Sequence, residues 1–237
     1  MTQRNTFASL LQTGLGSPLL MSPETVNVWQ QVEGFERLPV FEGVPVTPDV
    51  NPSWAFLQTG IDASYLPQGG ILLTRSGPLP PDNFFLAPRT TTGLASADLA
   101  GVRGLFFDVH ARLVDFQDLD AFSIGFTDLT SGASLAAIGY DPPGSEFIGG
   151  ILDNGVPDIR ETGVLVDNAP HRFTVVLDAP FAGNRNTAYV FIDGKLVVRT
   201  PGLPPVVGLQ PYISVGPLSL GPAMEIYGLR TGFKYRA

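Results

Sequence analysis

The feature that most limits what this chain can fold into is the brevity of its apolar runs. From residue 54 onward they come as "LFFDVHARLVDF", "AFSIGF", "SLAAIGY", "EFIGGIL", "HRFTVVLD", "TAYVFI", "KLVVRT", "PYISVG", "MEIYGL" and "GFKYR", separated by Gly, Pro, Asn and Asp. Inside a run the period is two. Phe107, Val109, Ala111 and Leu113 fall on one side of the first, with Phe106, Asp108, His110 and Arg112 on the other. Such alternation is the mark of a strand with one face in a core. Phe122, Ile124 and Phe126 form the inward set of "AFSIGF", and Phe173, Val175 and Leu177 that of "HRFTVVLD". Many short strands closed by turn residues, with no long helical pattern among them, predict an all-β fold: an antiparallel sandwich or barrel.

"AYVFIDGKLVVRT", Ala188 to Thr200, fixes one local detail. Asp193-Gly194 between two strand-like runs predicts a two-residue type I′ hairpin, because both loop positions need positive φ, which Gly adopts freely and Asp tolerates. With that loop Phe191 stands opposite Leu196 and Val190 opposite Val197, on opposite faces of the ribbon. Both faces are then apolar, so the ribbon is expected to be central in a curved sheet or covered by the N-terminal stretch or another subunit. "DNG" at 153–155 reads as a further turn.

The first quarter of the chain reads differently. Prolines at 18, 23, 39, 45, 48 and 52 rule out long helices and central strands over residues 1–53. One short helix is open at its start, with Ser22 as N-cap, Pro23 at the first helical position, and Val28, Val32 and Phe35 on one face; the alternation of "TVNVW" competes with it. The stretch nevertheless carries Leu19, Leu20, Met21, Val28, Trp29, Phe35, Leu38, Val40, Phe41 and Val44, too apolar a set for a solvated linker. The expected organisation is an extended N-terminal arm over 1–53 that packs on a neighbour or on its own domain, followed by a β-sandwich over 54–237.

With 237 residues the chain buries roughly 70–75% of the surface its unfolded form exposes, so its core needs no staple. There is no cysteine, which removes disulfides, thiolate metal sites and cysteine nucleophiles. A net charge of −8 argues against a phosphate-binding surface, so nucleic acid is not an expected partner. The N-terminus lacks a recognisable signal-peptide core, and nowhere do apolar residues run long enough for a helical membrane span.

The search for chemistry yields few candidates. His110 and His171 both sit in strand patterns, without the spacing of metal ligands, and read as surface or strand-flanking histidines. No Gly-x-Ser-x-Gly elbow and no phosphate loop occurs. Paired acids two positions apart on a strand, as β-sandwich glycosidases use them, are missing for every glutamate. "DFQDLDAF" places Asp115, Asp118 and Asp120 between two strands; a solvated turn is the leading reading and a calcium site the second, since clustered carboxylates suit that hard ion. Trp54, Tyr65, Tyr140 and Tyr212 adjoin loops and are candidates for stacking against sugars, with core packing as the alternative. No cofactor is expected.

From about Trp54 to Ala237 the order "LFFDVHARLVDF", "AFSIGFTDL", "HRFTVVLD", "AYVFIDGKLV", "LQPYISVG", "MEIYGLRTGFKY" resembles the concanavalin A-like (laminin G-like) jelly-roll domains of bacteriophage virion proteins. The resemblance implies a capsid decoration, cement or head-fibre protein on the virion surface, attached through its arm. Implied partners are the major capsid protein, other virion subunits and further copies of the chain, a trimer being the state that suits a threefold site. It implies no catalytic residue, because the Glu-x-Asp-x-x-Glu strand of the glucanases that share the fold is missing, and no enzyme is expected. The alternative is a carbohydrate-binding adhesin module.

Overall fold

The computed structural model describes residues 28–34, 54–56, 61–67, 70–77, 84–88, 94–95, 102–128, 134–140, 146–151, 158–178, 187–201 and 208–235. Over these residues the chain forms two antiparallel sheets. The first, in spatial order, is β14 (Lys195–Pro201), β13 (Thr187–Ile192), β12 (Pro170–Asp178), β7 (Val102–Leu113), β16 (Gly221–Tyr235), β4 (Ile71–Arg75) and β3 (Ile61–Tyr65), with β1 (Val28–Gly34) also on β16. The second is β11 (Asp158–Leu165), β10 (Glu146–Ile151), β9 (Ser134–Tyr140), β8 (Leu119–Asp128), β15 (Gly208–Pro217), β5 (Phe84–Pro88) and β2 (Trp54–Phe56), with β6 (Leu94–Ala95) also on β15.

The alternation read from the sequence places the core. Phe107, Val109, Ala111 and Leu113 of β7, Phe122, Ile124 and Phe126 of β8, and Phe173, Val175 and Leu177 of β12 are at most 2% exposed and meet in one cluster between the sheets. Phe107 meets Phe126 edge-on across it, with ring centroids 6.3 Å apart. The opposite set on β7 is less polar in its surroundings than alternation suggests: Phe106 and Asp108 are buried on the face away from the core, and so are Val176 and Phe191, while His110 is exposed.

The 193–194 turn has the expected backbone, with φ of 52° at Asp193 and 78° at Gly194. Phe191 stands opposite Leu196 as predicted, but Val190 stands opposite Val198, because a bulge at Val197 slips the register by one residue. The slip brings Val198 into the core beside Val190, where an unbroken ladder would have sent it outward. Of the ribbon, β13 lies inside the sheet and β14 forms its edge.

β16 is one strand where the sequence suggested two runs, "MEIYGL" and "GFKYR". Bulges at Ala223 and Tyr227 reset its alternation without breaking the pairing to β7. Its other edge is shared: β4 pairs with Gly221–Ile226 and β1 with Gly228–Lys234.

β1 decides between the two readings of the stretch around Val28. Val28 and Val32 belong to a strand, paired with Lys234 and Arg230, and not to a helix with Phe35; Trp29 stands opposite Phe233. A free strand edge on β16 offers this segment a ladder of backbone hydrogen bonds that one short helix could not match, so the alternation of "TVNVW" prevails over the helix signal. Leu19, Leu20, Met21, Ser22, Pro23, Phe35, Leu38, Val40, Phe41 and Val44 lie outside the described residues.

Candidate functional site

The outward face of the first sheet carries a connected set of ion pairs and polar contacts. Register sets the rows: Arg112 of β7 stands opposite Glu225 of β16, His110 between Arg172 of β12 and Gly228 of β16, and Asp108 opposite Thr174 of β12. Arg112 donates from Nη1 to Glu225 Oε2 at 3.3 Å and from Nε to the Asn168 carbonyl at 2.8 Å. The Tyr227 hydroxyl donates to the same Glu225 oxygen, and the Tyr227 ring lies 5.1 Å from the exposed His110 ring. Burial, followed by the hydrogen bond and negative charge of Glu225, lifts the Tyr227 phenol above its ordinary range, so it remains a neutral donor. Gly70 makes room for this ring: a Cβ there would lie 3.3 Å from it and 2.7 Å from the Ile226 carbonyl oxygen.

One row further in, Arg172 grips Asp108 through two parallel bonds, Nε to Oδ1 at 2.8 Å and Nη2 to Oδ2 at 2.9 Å, and Thr174 Oγ1 donates to Oδ1 at 2.6 Å. Burial pushes the Asp108 carboxyl above the ordinary aspartate range, and the Arg172 charge draws it part of the way back. This fork satisfies a polar group that the strand pattern puts on a buried stretch of the outward face.

His171 serves a different purpose. It lies at the end of the sandwich, with its ring 5.6 Å from Phe147 and 5.9 Å from Phe173, and a carboxylate at each nitrogen: Asp193 Oδ2 2.7 Å from Nδ1 and Asp167 Oδ1 3.1 Å from Nε2. Asp193 also accepts from the Arg172 backbone N–H at 2.8 Å, while its own N–H donates to the Arg172 carbonyl. The aspartate of the hairpin is therefore a corner that also clamps the neighbouring strand. His171 closes the core at the rim, as the reading of a strand-flanking histidine expects.

The other sequence candidates separate. Asp115 is exposed and caps a single 3-10 turn, Phe116–Asp118, by accepting from the Gln117 N–H at 3.2 Å. Asp118 ends that turn and Asp120 lies in β8. Among the described residues no group of three or more acids or histidines is placed to hold a metal ion. Of the four loop-adjacent aromatics, Tyr140 and Tyr212 are buried, which removes them as stacking platforms, and the Tyr212 hydroxyl bonds Ser123 Oγ at 2.6 Å. Trp54 and Tyr65 belong to β2 and β3. The site missed from sequence is Glu225-x-Tyr227 with His110-x-Arg112. Polar residues at period two on two strands were its only signal, and their adjacency depends on strand order.

No family model matches the chain, and no curated protein matches it in sequence. Solved structures do. A carbohydrate recognition domain of Emp47p is 16% identical, with a TM-score of 0.51 over 78% of this chain and 90% of that one. A Bacillus licheniformis β-glucanase is 13% identical, with a TM-score of 0.53 over 87% and 98%. The carbohydrate recognition domain of Emp46p in its metal-free form is 10% identical, with a TM-score of 0.53 over 76% and 87%. At such identities the likeness is one of fold: the chain is an antiparallel jelly-roll sandwich of the concanavalin A-like type.

Proposed function

We propose that the chain is a non-catalytic carbohydrate-binding module that reads its ligand on the outward face of the β12–β7–β16 sheet. The observation that carries this reading is the Tyr227–His110 ring pair, 5.1 Å apart, bordered by the Glu225 carboxylate and the Arg112 guanidinium. Aromatic faces offer an apolar bed to the C–H groups of a sugar ring, while the Arg112 guanidinium donates to its hydroxyls and the Glu225 carboxylate holds phenol and guanidinium in place. Support also comes from fold neighbours that are themselves carbohydrate recognition domains. No glutamate of the sequence is followed two positions later by Asp or Glu, the spacing on which a glucanase of this fold depends.

Virion attachment, to the major capsid protein or other subunits, drew its weight from residues 1–53. With Val28–Gly34 laid along β16 of the same chain, part of that stretch already has its backbone paired, and carbohydrate recognition is the better-supported reading. A glycan panel with neutral and acidic sugars, followed by titration calorimetry, tests it. Wild-type chain is expected to bind, and Tyr227→Ala and Glu225→Gln to lose most of that binding while melting as folded proteins. A blank panel for the wild type, or undiminished binding by Tyr227→Ala, refutes it.

A further inference from the structure

The two ion pairs of this patch balance in charge but leave their cations on the solvent side. The chain carries a net −8, yet the outward groups of three neighbouring positions are Arg112, His110 and Arg172. Their counter-ions lie lower: the Asp108 side chain is 6% exposed against 29% for Arg172, and Glu225 14% against 37% for Arg112. The anions thus hold the guanidinium groups upright, and solvent meets mainly the cations.

Spacing makes the three a unit. His110 is two residues from Arg112 on one strand and is the cross-strand partner of Arg172, so about 7 Å along the strand and about 5 Å across it separate the positions. On the other side of His110 stands Gly228, which adds no side chain over the patch, and next to it the Tyr227 ring.

Resting on the carbohydrate reading above, we propose that the ligand is a carboxylated sugar such as a uronate. Its carboxylate sits over His110 between the guanidinium groups of Arg112 and Arg172, and its ring lies against Tyr227. The Nε–Nη2 edge of Arg172 already holds Asp108, so the ligand carboxylate takes the outward terminal N–H groups of the two guanidiniums, planar acceptor against planar donors. An acidic peptide would satisfy the cations but would leave the Tyr227–His110 face without a matching ring surface.

The test uses the full chain and a short oligogalacturonate, the same oligosaccharide fully methyl-esterified, and poly-glutamate, titrated at low and at high salt. The acid form is expected to bind about tenfold more tightly than the ester, with the advantage shrinking as salt rises. Arg112→Gln and His110→Gln should each remove most of the advantage. Arg172 is left in place because its loss would strand the buried Asp108. His110 is exposed, so His110→Gln carries the test even if Arg112→Gln misfolds. Equal binding of acid and ester overturns the inference and leaves carbohydrate recognition standing, as does binding confined to neutral glycans. Poly-glutamate competing as well as the uronate overturns it too. No binding to any of these, with the wider panel blank, overturns both readings.

Discussion

Replacing Asp193 separates the two tasks that one side chain performs in the hairpin. Its carboxylate accepts from the Arg172 N–H at 2.8 Å and from His171 Nδ1 at 2.7 Å, and its backbone sits at φ 52°. A hydrogen bond to a charged group contributes about 1.5–3 kcal/mol, but Asp193 is 53% exposed, so about 1 kcal/mol for each is the better figure. Holding alanine in the left-handed region costs about another 1 kcal/mol. Asp193→Ala should therefore lose about 3 kcal/mol. Asp193→Gly, relieved of strain but without the acceptor, should lose about 2 kcal/mol, and Asp193→Asn, which still accepts from Arg172 and tolerates the turn, about 1 kcal/mol. For a chain of this size about 2–4 °C accompanies each kcal/mol, giving a fall of about 6–12 °C for alanine and about 2–4 °C for asparagine. Thermal and urea unfolding of the three variants measure the series. Alanine as stable as asparagine, or glycine less stable than alanine, would refute the division into strain and clamp.

Gly70→Ala should cost about 1–3 kcal/mol, since Gly70 has φ 106° and a Cβ would press on the Ile226 carbonyl; by displacing Tyr227 it should also weaken glycan binding, and a variant that binds like wild type would refute the ring's role. Phe147→Ala empties a fully buried position 5.2 Å from Phe173 and 6.2 Å from Phe122 and should lose about 3–5 kcal/mol in urea unfolding; a loss below about 1 kcal/mol would mean the rim cluster is not part of the core. Asp108 gives a pH signature. Because burial raises its folded value, the proton binds the folded chain more readily than the unfolded one, so the group adds stability that is fully present below the ordinary aspartate range and is lost as pH rises through the raised value. Asp108→Asn cannot titrate, so the stability of wild type relative to this variant should grow as pH falls from about 7 to about 3; a pH-independent difference would contradict it.

Strand periodicity was legible because it is local. Each inward set named from β7, β8 and β12 needed only the two-residue repeat of an extended backbone, and the 193–194 turn needed only the φ preferences of Asp and Gly. The bulges at Val197, Ala223 and Tyr227 were not legible, since a bulge depends on what the partner strand and the core require and leaves no fixed residue type behind. Tyr140 and Tyr212 looked like loop-edge rings from their neighbours in sequence, yet pairing across the second sheet buries both.

Short-range backbone geometry suffices to read three things from the residues alone: an all-β chain, which alternations face inward, and a corner at Asp193. The order of strands, and with it everything that joins distant residues, came from packing: Val28–Gly34 on the edge of β16, Arg172 forked onto Asp108, and Tyr227 beside His110. A period of two says which face a side chain takes but not which strand lies next to it. The candidate site is a product of that second choice, made by burial and hydrogen bonding over the whole sandwich.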